Sequence, residues 1–410
     1  MTHEESVRLP DEHEVAGYLQ QIQPYVENLA DELLEVSHLI HERPEVRFEE
    51  EFASGLLADK LEEHGFAVER GSAGLPTAFS ALASNVDQKA TGAPTIAVFC
   101  EYDALEGIGH GCGHNIIGSV GIGAALATKR WLDEHPEAPG RLLVLGSPAE
   151  EGGGGKAYLI EAGYLEGIDA AIMIHPYAEN QTGASSLARE ALDVTFTGKP
   201  AHAAAEPHEG INALDAANLT LTAIGLLRQQ VRPDSRIHSI VTDGGQATNV
   251  IPERASLNIY VRSSDTGYLN ERLVPAVENC ARGAALATGA EVEITHPVPT
   301  YASMLNNEVL SRLTEKNFTA LDREVAAVAA GFSGSTDMGN VSHVVPSVHP
   351  FIRLVPGLSL HTKEAAKAAA SREGDETIID GALELSMTAV ELYSHPELLS
   401  AAWAKFAGEV

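Results

Sequence analysis

Residues 109–115 read Gly109-His110-Gly111-Cys112-Gly113-His114-Asn115, and the chain continues to an adjacent carboxylate pair, Glu150-Glu151, and to His175 in an Ile-His-Pro step. One thiolate, two imidazoles and two carboxylates, each ending an apolar run, are the parts of a metal site with a base beside it. Sulfur with imidazole favours a borderline ion such as zinc over calcium or magnesium. A lone Cys-x-His pair is weak, since buried cysteine commonly acts as a small hydrophobe. Glu150-Glu151 strengthens it, because neighbouring side chains at a strand end point apart, leaving one carboxylate to ligate and the other to face the attacking water. The bland alternative is a solvated acidic turn, yet the pair follows the apolar run 142–145 and precedes four glycines, a costly place for two charges without a partner. The glycine run is not a phosphate loop, because Ala157 follows Lys156 and position 150 is not glycine. His361, in Leu-His-Thr-Lys-Glu, opens a C-terminal helical segment and is the candidate last ligand. The chemistry implied is that of a metallohydrolase.

Such residues need elements to bring them together. A helical apolar repeat covers 15–41 and a second helix 49–64. Strand-like runs at 77–82, 95–100, 141–145 and 170–174, with a helix over 116–133, give the rhythm of a sheet with covering helices. Asp103, Glu150, Glu151 and His175 each lie just past the C-terminal end of one of these strands, the edge at which open α/β sheets place their ligand crevice. The pattern changes near Ser185. Strands at 191–197, 237–242, 255–261 and 291–295, with helices at 211–231 and 266–286, predict an inserted α+β domain. The expected fold is α/β: a discontinuous catalytic, metal-binding domain of residues 1–185 and 301–410, with a central mostly parallel sheet flanked by helices, and an inserted sandwich domain of residues 186–300.

Six motifs in order, Gly-His-Gly-Cys-Gly-His-Asn, Pro-Ala-Glu-Glu-Gly-Gly-Gly-Gly, Ile-His-Pro, Gly-Lys-Pro-Ala-His-Ala-Ala, Ala-Thr-Asn-Val-Ile-Pro and Leu-His-Thr-Lys-Glu, resemble the aminoacylase and glutamate-carboxypeptidase family of dinuclear metallopeptidases over about residues 30–395. The cysteine places the chain near the branch with aminobenzoyl-glutamate hydrolase, indole-acetyl-amino-acid hydrolases and Xaa-Arg-type dipeptidases. The resemblance implies two divalent ions per subunit, zinc or alternatively manganese, held by Cys112, His114, Glu151, His175 and His361, with Glu150 as general base and Asp103 orienting a ligating imidazole. His110 matches the motif without being a family ligand. Asn115 stands where many relatives have aspartate, and Cys100-Glu101-Tyr102-Asp103 replaces a more usual Arg-Ala-Asp pattern. The resemblance further implies that the inserted domain is a lid and dimerisation domain. There His202 reaches the partner's site in a homodimer to stabilise the oxyanion, and Asn249 and Arg262 meet substrate, Arg262 by a carboxylate. The loop 334–342, with Ser335 and Thr336, resembles that of dipeptidases acting on dipeptides that end in basic residues. Read alone, His202 is packing among alanines, Arg262 an ordinary strand residue and the loop a polar turn.

Composition narrows the alternatives. With 27 basic and 58 acidic residues the formal net charge is -31, which opposes binding to phosphate backbones or anionic lipid. Cys100, Cys112 and Cys280 are odd in number and far apart, arguing for a reducing compartment. The polar start, 1–10, lacks the apolar core of a secretion signal, and no run approaches the roughly 18 apolar residues of a membrane span; the cytoplasm is the expected compartment. The expected activity is amide hydrolysis of an N-acyl amino acid or small dipeptide. The alternatives are a deacylase of aminobenzoyl-glutamate or another type, and a non-catalytic, metal-loaded dimeric binding protein.

Overall fold

The computed structural model describes residues 7–87, 91–328 and 334–409. Residues 1–6 of the polar start and 331–333 of the loop before Gly334 lie outside them. In chain order the strands are β1 (Ala67–Arg70), β2 (Phe79–Ser84), β3 (Thr95–Cys100), β4 (Arg141–Gly146), β5 (Ala170–Ile172), β6 (His175–Tyr177), β7 (Ala188–Thr197), β8 (Arg236–Asp243), β9 (Arg254–Ser263), β10 (Glu291–Thr295), β11 (Ser347–Val348) and β12 (Phe351–Arg353). They divide between two compact units.

The first unit holds the described residues up to Ser185, those from Met304 to 328 and those from Asn340 onward. Its sheet has the order β1-β2-β4-β3-β5-β11, with β4, β3, β5 and β11 mutually parallel, β2 antiparallel to β4 and β1 antiparallel to β2. β3 reads Thr-Ile-Ala-Val-Phe-Cys and is buried from Ile96 to Cys100, the continuous apolar run of a strand covered on both faces. Helices Glu12–Glu42, His114–Glu134 and Arg372–Ser394 pack on one another, and His114–Glu134 also packs on β3 and β4, burying Ile22, Leu33, Val120, Ala382 and Leu385. The first starts at Asp11, whose side chain accepts the Glu14 N–H while Glu14 returns a bond to the Asp11 N–H, satisfying two otherwise unpaired donors.

Local pattern and structure differ in places. The run expected as one strand over 170–174 ends at Ile172, and His175–Tyr177 pairs instead with Phe351–Arg353 as a separate parallel pair. β1 has no apolar alternation and is mostly exposed, so no sequence signal marked it.

The second unit comprises 186–303 and the described residues 334–339. Its four strands run β10-β7-β9-β8, all antiparallel. β9 alternates buried and half-buried residues, and the helices Ala213–Leu227 and Val274–Thr288 share a core with Leu192, Val194, Leu257 and Ile259. The expected return to the first domain at residue 301 comes at 304. Arg189 and Tyr301 exchange both backbone hydrogen bonds at 2.9 Å, and Leu187 donates to the Gly334 carbonyl at 2.7 Å, which ties the 334–339 turn to this unit. The segment expected as a helix over 266–286 is helical from Thr266 to Thr288, with a wider π turn at Leu269–Leu273 just before Pro275. Among the described residues no helix is long and apolar enough to cross a membrane.

The Arg372–Ser394 helix buries two carboxyls, Glu384 and Glu391. Thr388 donates to Glu384 at 2.8 Å and Asn317 to Glu391 at 2.9 Å, while Glu384 Oε2 and Glu391 Oε1 have no hydrogen-bond partner. Burial pushes each up to about 8; around Glu391 the nearby Glu384 and Glu14 add to the rise and Lys316 opposes it. A carboxyl raised on folding contributes stability that is full below the unfolded carboxylate range and lost as pH rises through about 8. Glu384→Gln is therefore expected to melt above the wild type at pH 9 and close to it at pH 5. An unchanged difference between the two pH values would show that Glu384 does not titrate there.

Candidate metal centre

Three parallel strands deliver their C-terminal ends to one edge. After β3 come Glu101 and Asp103, after β4 the Ala149-Glu150-Glu151 turn, and after β5 His175. The loop with Cys112 enters the His114–Glu134 helix beside them, Gly113 being the left-handed residue before its first turn. Two glycines let this loop lie against both neighbours. A Cβ on Gly113 would sit 2.5 Å from Pro176, next to His175, and one on Gly111 would sit 3.0 Å from the Thr362 carbonyl, next to His361. The His361 N–H donates to Gly111 O at 2.9 Å, so the last ligand candidate is stitched to the first.

The donor atoms converge. Cys112 Sγ lies 3.5 Å from both His175 Nε2 and His361 Nε2, and His361 Nε2 lies 3.1 Å from Glu151 Oε1. Two trios, Cys112 with His114 and His175, and Cys112 with Glu151 and His361, each place their ligand atoms within 4.8 Å of one another; a third joins Glu101, His114 and Glu150. Asp103 braces the first two. Its Oδ1 lies 2.9 Å from His114 Nδ1 and its Oδ2 accepts the Glu151 N–H at 2.8 Å. A proton on His114 Nδ1 leaves Nε2 with its lone pair, and that atom is buried without a hydrogen-bond partner. His175 Nδ1 lies 2.7 Å from the Pro176 carbonyl, which assigns its proton in the same way; burial and the neighbouring His114 push this imidazole down to about 4, the neutral form that ligates. Burial pushes the Cys112 thiol up and Glu151 adds to this, a penalty that a divalent ion reverses, since ligation deprotonates the thiol. A buried sulfur, two imidazole nitrogens with free lone pairs and a carboxylate form a donor set that fits borderline divalent ions.

Other residues fall into place around this set. His110 is buried, with Nε2 3.1 Å from the Ile40 carbonyl, and burial pushes it down to about 3, consistent with a structural histidine. Asn115 donates to Ser37 Oγ and the Ala369 carbonyl at 2.9 and 3.0 Å. Cys100 is buried and Cys280 half-buried, both free thiols.

In the second unit, Ala203 N donates to Asn249 O at 3.0 Å, which brings the His202 and Asn249 segments together. His202 Nδ1 accepts from the Ala204 and Ala205 N–H groups at 3.2 and 3.1 Å, so its proton sits on Nε2. Arg262 is half-buried at the end of β9. Thr336 Oγ1 accepts from Met338 N at 3.1 Å, whereas Ser335 Oγ is buried without a hydrogen-bond partner.

Sequence reading missed four residues at the first unit's centre. Lys156 and Glu101 form a fully buried ion pair, and Glu101 Oε2 stands 3.5 Å from His114 Nε2. The signal was present, since Glu101, like Asp103, follows directly on an apolar strand. His349 is buried with its ring 5.7 Å from that of His175, and burial holds it well below the usual imidazole range. Glu50 left no local signal.

Glu50 is buried, accepting the Ala149 N–H at 2.9 Å and the Thr77 hydroxyl at 2.9 Å, and burial followed by the charge of Asp103 pushes it up to about 7. Ala149 has φ +60°, a left-handed conformation that costs a residue with a side chain about 1 kcal/mol or more. Glu50 thus pins the strained residue that aims Glu150. Glu50→Ala is expected to lower kcat by about a hundredfold, the effect of a misplacement near 1 Å. Adding Ala149→Gly, which removes the strain, should restore part of it; kcat of the double variant at or below that of Glu50→Ala would refute the role.

The peptidase family M20/M25/M40 model matches residues 92–380. The chain is 39% identical to a mouse (Mus musculus) Xaa-Arg dipeptidase over 93% of this chain and 90% of that one. It is 34% identical to a p-aminobenzoyl-glutamate hydrolase polypeptide of Escherichia coli, over 63% of this chain and 56% of that one. Among solved structures, an aminohydrolase described as putative, from methicillin-resistant Staphylococcus aureus, superposes with TM-score 0.71 at 18% identity over 91% of this chain and 99% of that one. A dinuclear metal-binding peptidase from Bacillus subtilis superposes with TM-score 0.60 at 19% identity over 89% and 99%. With the family model covering most of the chain and the donor set gathered at the sheet edge, this protein belongs to peptidase family M20/M25/M40, hydrolases of amide bonds.

Proposed function

We propose that the chain hydrolyses the amide bond of N-acyl amino acids or small dipeptides with two divalent ions held by Cys112, His114, Glu151, His175 and His361. The observation that supports this reading is that Cys112, His114, His175, Glu151 and His361 fall into two overlapping trios, each with its donor atoms within 4.8 Å of one another, close enough to hold a divalent ion. Zinc suits sulfur and imidazole, with manganese the alternative. When bound, the ions polarise the scissile carbonyl and bring the pKa of the attacking water toward neutrality. Glu150 takes the water proton on its carboxylate and returns it to the leaving nitrogen. The second unit is the lid and dimerisation domain of a cytoplasmic homodimer, and His202, with its proton on Nε2, donates to the developing oxyanion in the partner's site. Arg262 holds a substrate carboxylate, with Asn249, Ser335 and Thr336 beside the substrate. The likeness to an Xaa-Arg dipeptidase favours a dipeptide ending in arginine as a second, narrower reading.

Glu150→Gln is expected to lose at least about a hundredfold in turnover, as removal of a general base does, while metal analysis still finds two ions per subunit. Amine release from a panel of N-acyl amino acids and dipeptides, repeated with zinc and manganese, reads the rate. Wild-type activity in the variant would refute Glu150 as base. Mixing inactive His202→Ala and Glu150→Gln subunits is expected to restore part of the activity, because one hybrid site then holds both groups. No recovery from a mixture shown to contain heterodimers would refute the shared site.

A further inference from the structure

Three arginines stand in one cross-strand row of the second unit's sheet. Arg189 on β7 lies opposite Arg262 on β9, and Arg262 lies opposite Arg236 on β8. Like charges directly opposite destabilise a sheet, so such a row calls for a compensating group. The row faces away from the helices, because the alternate residues Ala188 and Val261 belong to the helix-covered core. Arg236 is exposed and donates to the Pro233 and Ser235 carbonyls.

Arg189 is different. It is 3% exposed, with Cζ 4.0 Å from the Tyr301 ring centroid and 4.9 Å from that of Tyr260, and its Nε and Nη2 are buried without a hydrogen-bond partner. Arg262 Cζ lies 5.6 Å from the same Tyr260 ring, and burial, then the Arg189 charge, lowers its pKa. Among the described residues neither guanidinium is ion-paired to a carboxylate, in a chain with 58 acidic side chains. Ring faces offset part of the cost of a buried guanidinium but satisfy none of its N–H donors. The unspent edge of Arg189, Nε with Nη2, is a fork of parallel donors that matches a carboxylate. Ser335, with its own unpartnered Oγ, follows the glycine whose carbonyl is bonded to Leu187, two residues before Arg189.

We propose that Arg189 and Arg262 together form a two-guanidinium carboxylate receptor, with Arg189 as its buried half, for the amino acid whose nitrogen hydrolysis releases. It rests on the reading of Arg262 as a carboxylate contact and adds the second cation. The ligand is the α-carboxylate of that amino acid or the side-chain carboxylate of an acidic one.

Metal-loaded Glu150→Gln protein, in which turnover is suppressed, is the background for all titrations, with N-acetylglycine, N-acetylglutamate and the uncharged N-acetylglycinamide as ligands. Calorimetry gives affinities, and NMR follows the Arg189 Nε–H resonance, identified by its loss in Arg189→Lys. Both acids, but not the amide, are expected to shift that resonance. Arg189→Lys and Arg189→Met should bind the acids about tenfold or more weakly, the worth of one charge-assisted fork, with the amide unaffected. Equal losses for the two acids assign the α-carboxylate, and a larger loss for N-acetylglutamate assigns the side chain. The Arg189 resonance in the Glu150→Gln background needs no Arg189 variant to fold, and its failure to move with either acid overturns the receptor. If Arg262→Ala abolishes the preference for acid over amide while Arg189→Lys keeps it, the Arg262 reading stands and the receptor falls; if neither variant changes it, both fall.

Discussion

The carboxylate of Asp103 is the interaction on which the candidate metal centre depends. One oxygen faces His114 Nδ1 and the other accepts the Glu151 N–H. A single buried side chain thus fixes the orientation of an imidazole from a helix and the position of a carboxylate from a strand turn. It can do so because β3 and β4 run parallel in register, Cys100 opposite Gly146, so that the segments leaving them emerge side by side. Burying that carboxylate is unfavourable, and the charge and hydrogen bond of His114 with the Glu151 N–H outweigh the cost, holding Asp103 below the usual carboxylate range.

Around this brace the centre is assembled from pieces that are individually strained or costly. Ala149 and His361 both have left-handed backbone, at φ +60° and +62°, on either side of the donor cluster. Glu50 and the His361–Gly111 backbone bond hold these conformations. Lys156 and Glu101 add a buried ion pair alongside His114. Buried ion pairs contribute little net stability, so this pair is better understood as setting the field around the donors than as holding the fold. Strain and buried charge gathered at one edge are the signature of a preorganised site.

The second unit follows a different logic. Its sheet is covered by helices on one face, and the other carries polar and aromatic side chains, the one-sided alternation that β9 displays. Register decides what that open face presents. Because Arg189 and Arg262 are direct partners across β7 and β9, two side chains 73 positions apart in the sequence share one surface, and Tyr260 and Tyr301 close around one of them.

The sequence by itself determined the donor types, the spacing of Cys112 and His114 among glycines, the paired Glu150-Glu151 at a strand end, and the change from continuous to alternating apolar runs near Ser185. These are local properties, written in side-chain chemistry and in periodicities of a few residues, and the family motifs fixed their order. Tertiary structure alone decided that Cys112 belongs to both donor trios, that Glu101 rather than a solvated acid stands beside His114, and that Glu50, 99 positions before Ala149, holds the turn that carries Glu150. It also decided that the 334–339 turn joins the second unit and that Arg189 is buried against two rings. Such facts depend on which distant segments share a sheet edge or a strand register, and neither is encoded within the few residues over which a sequence pattern can be read.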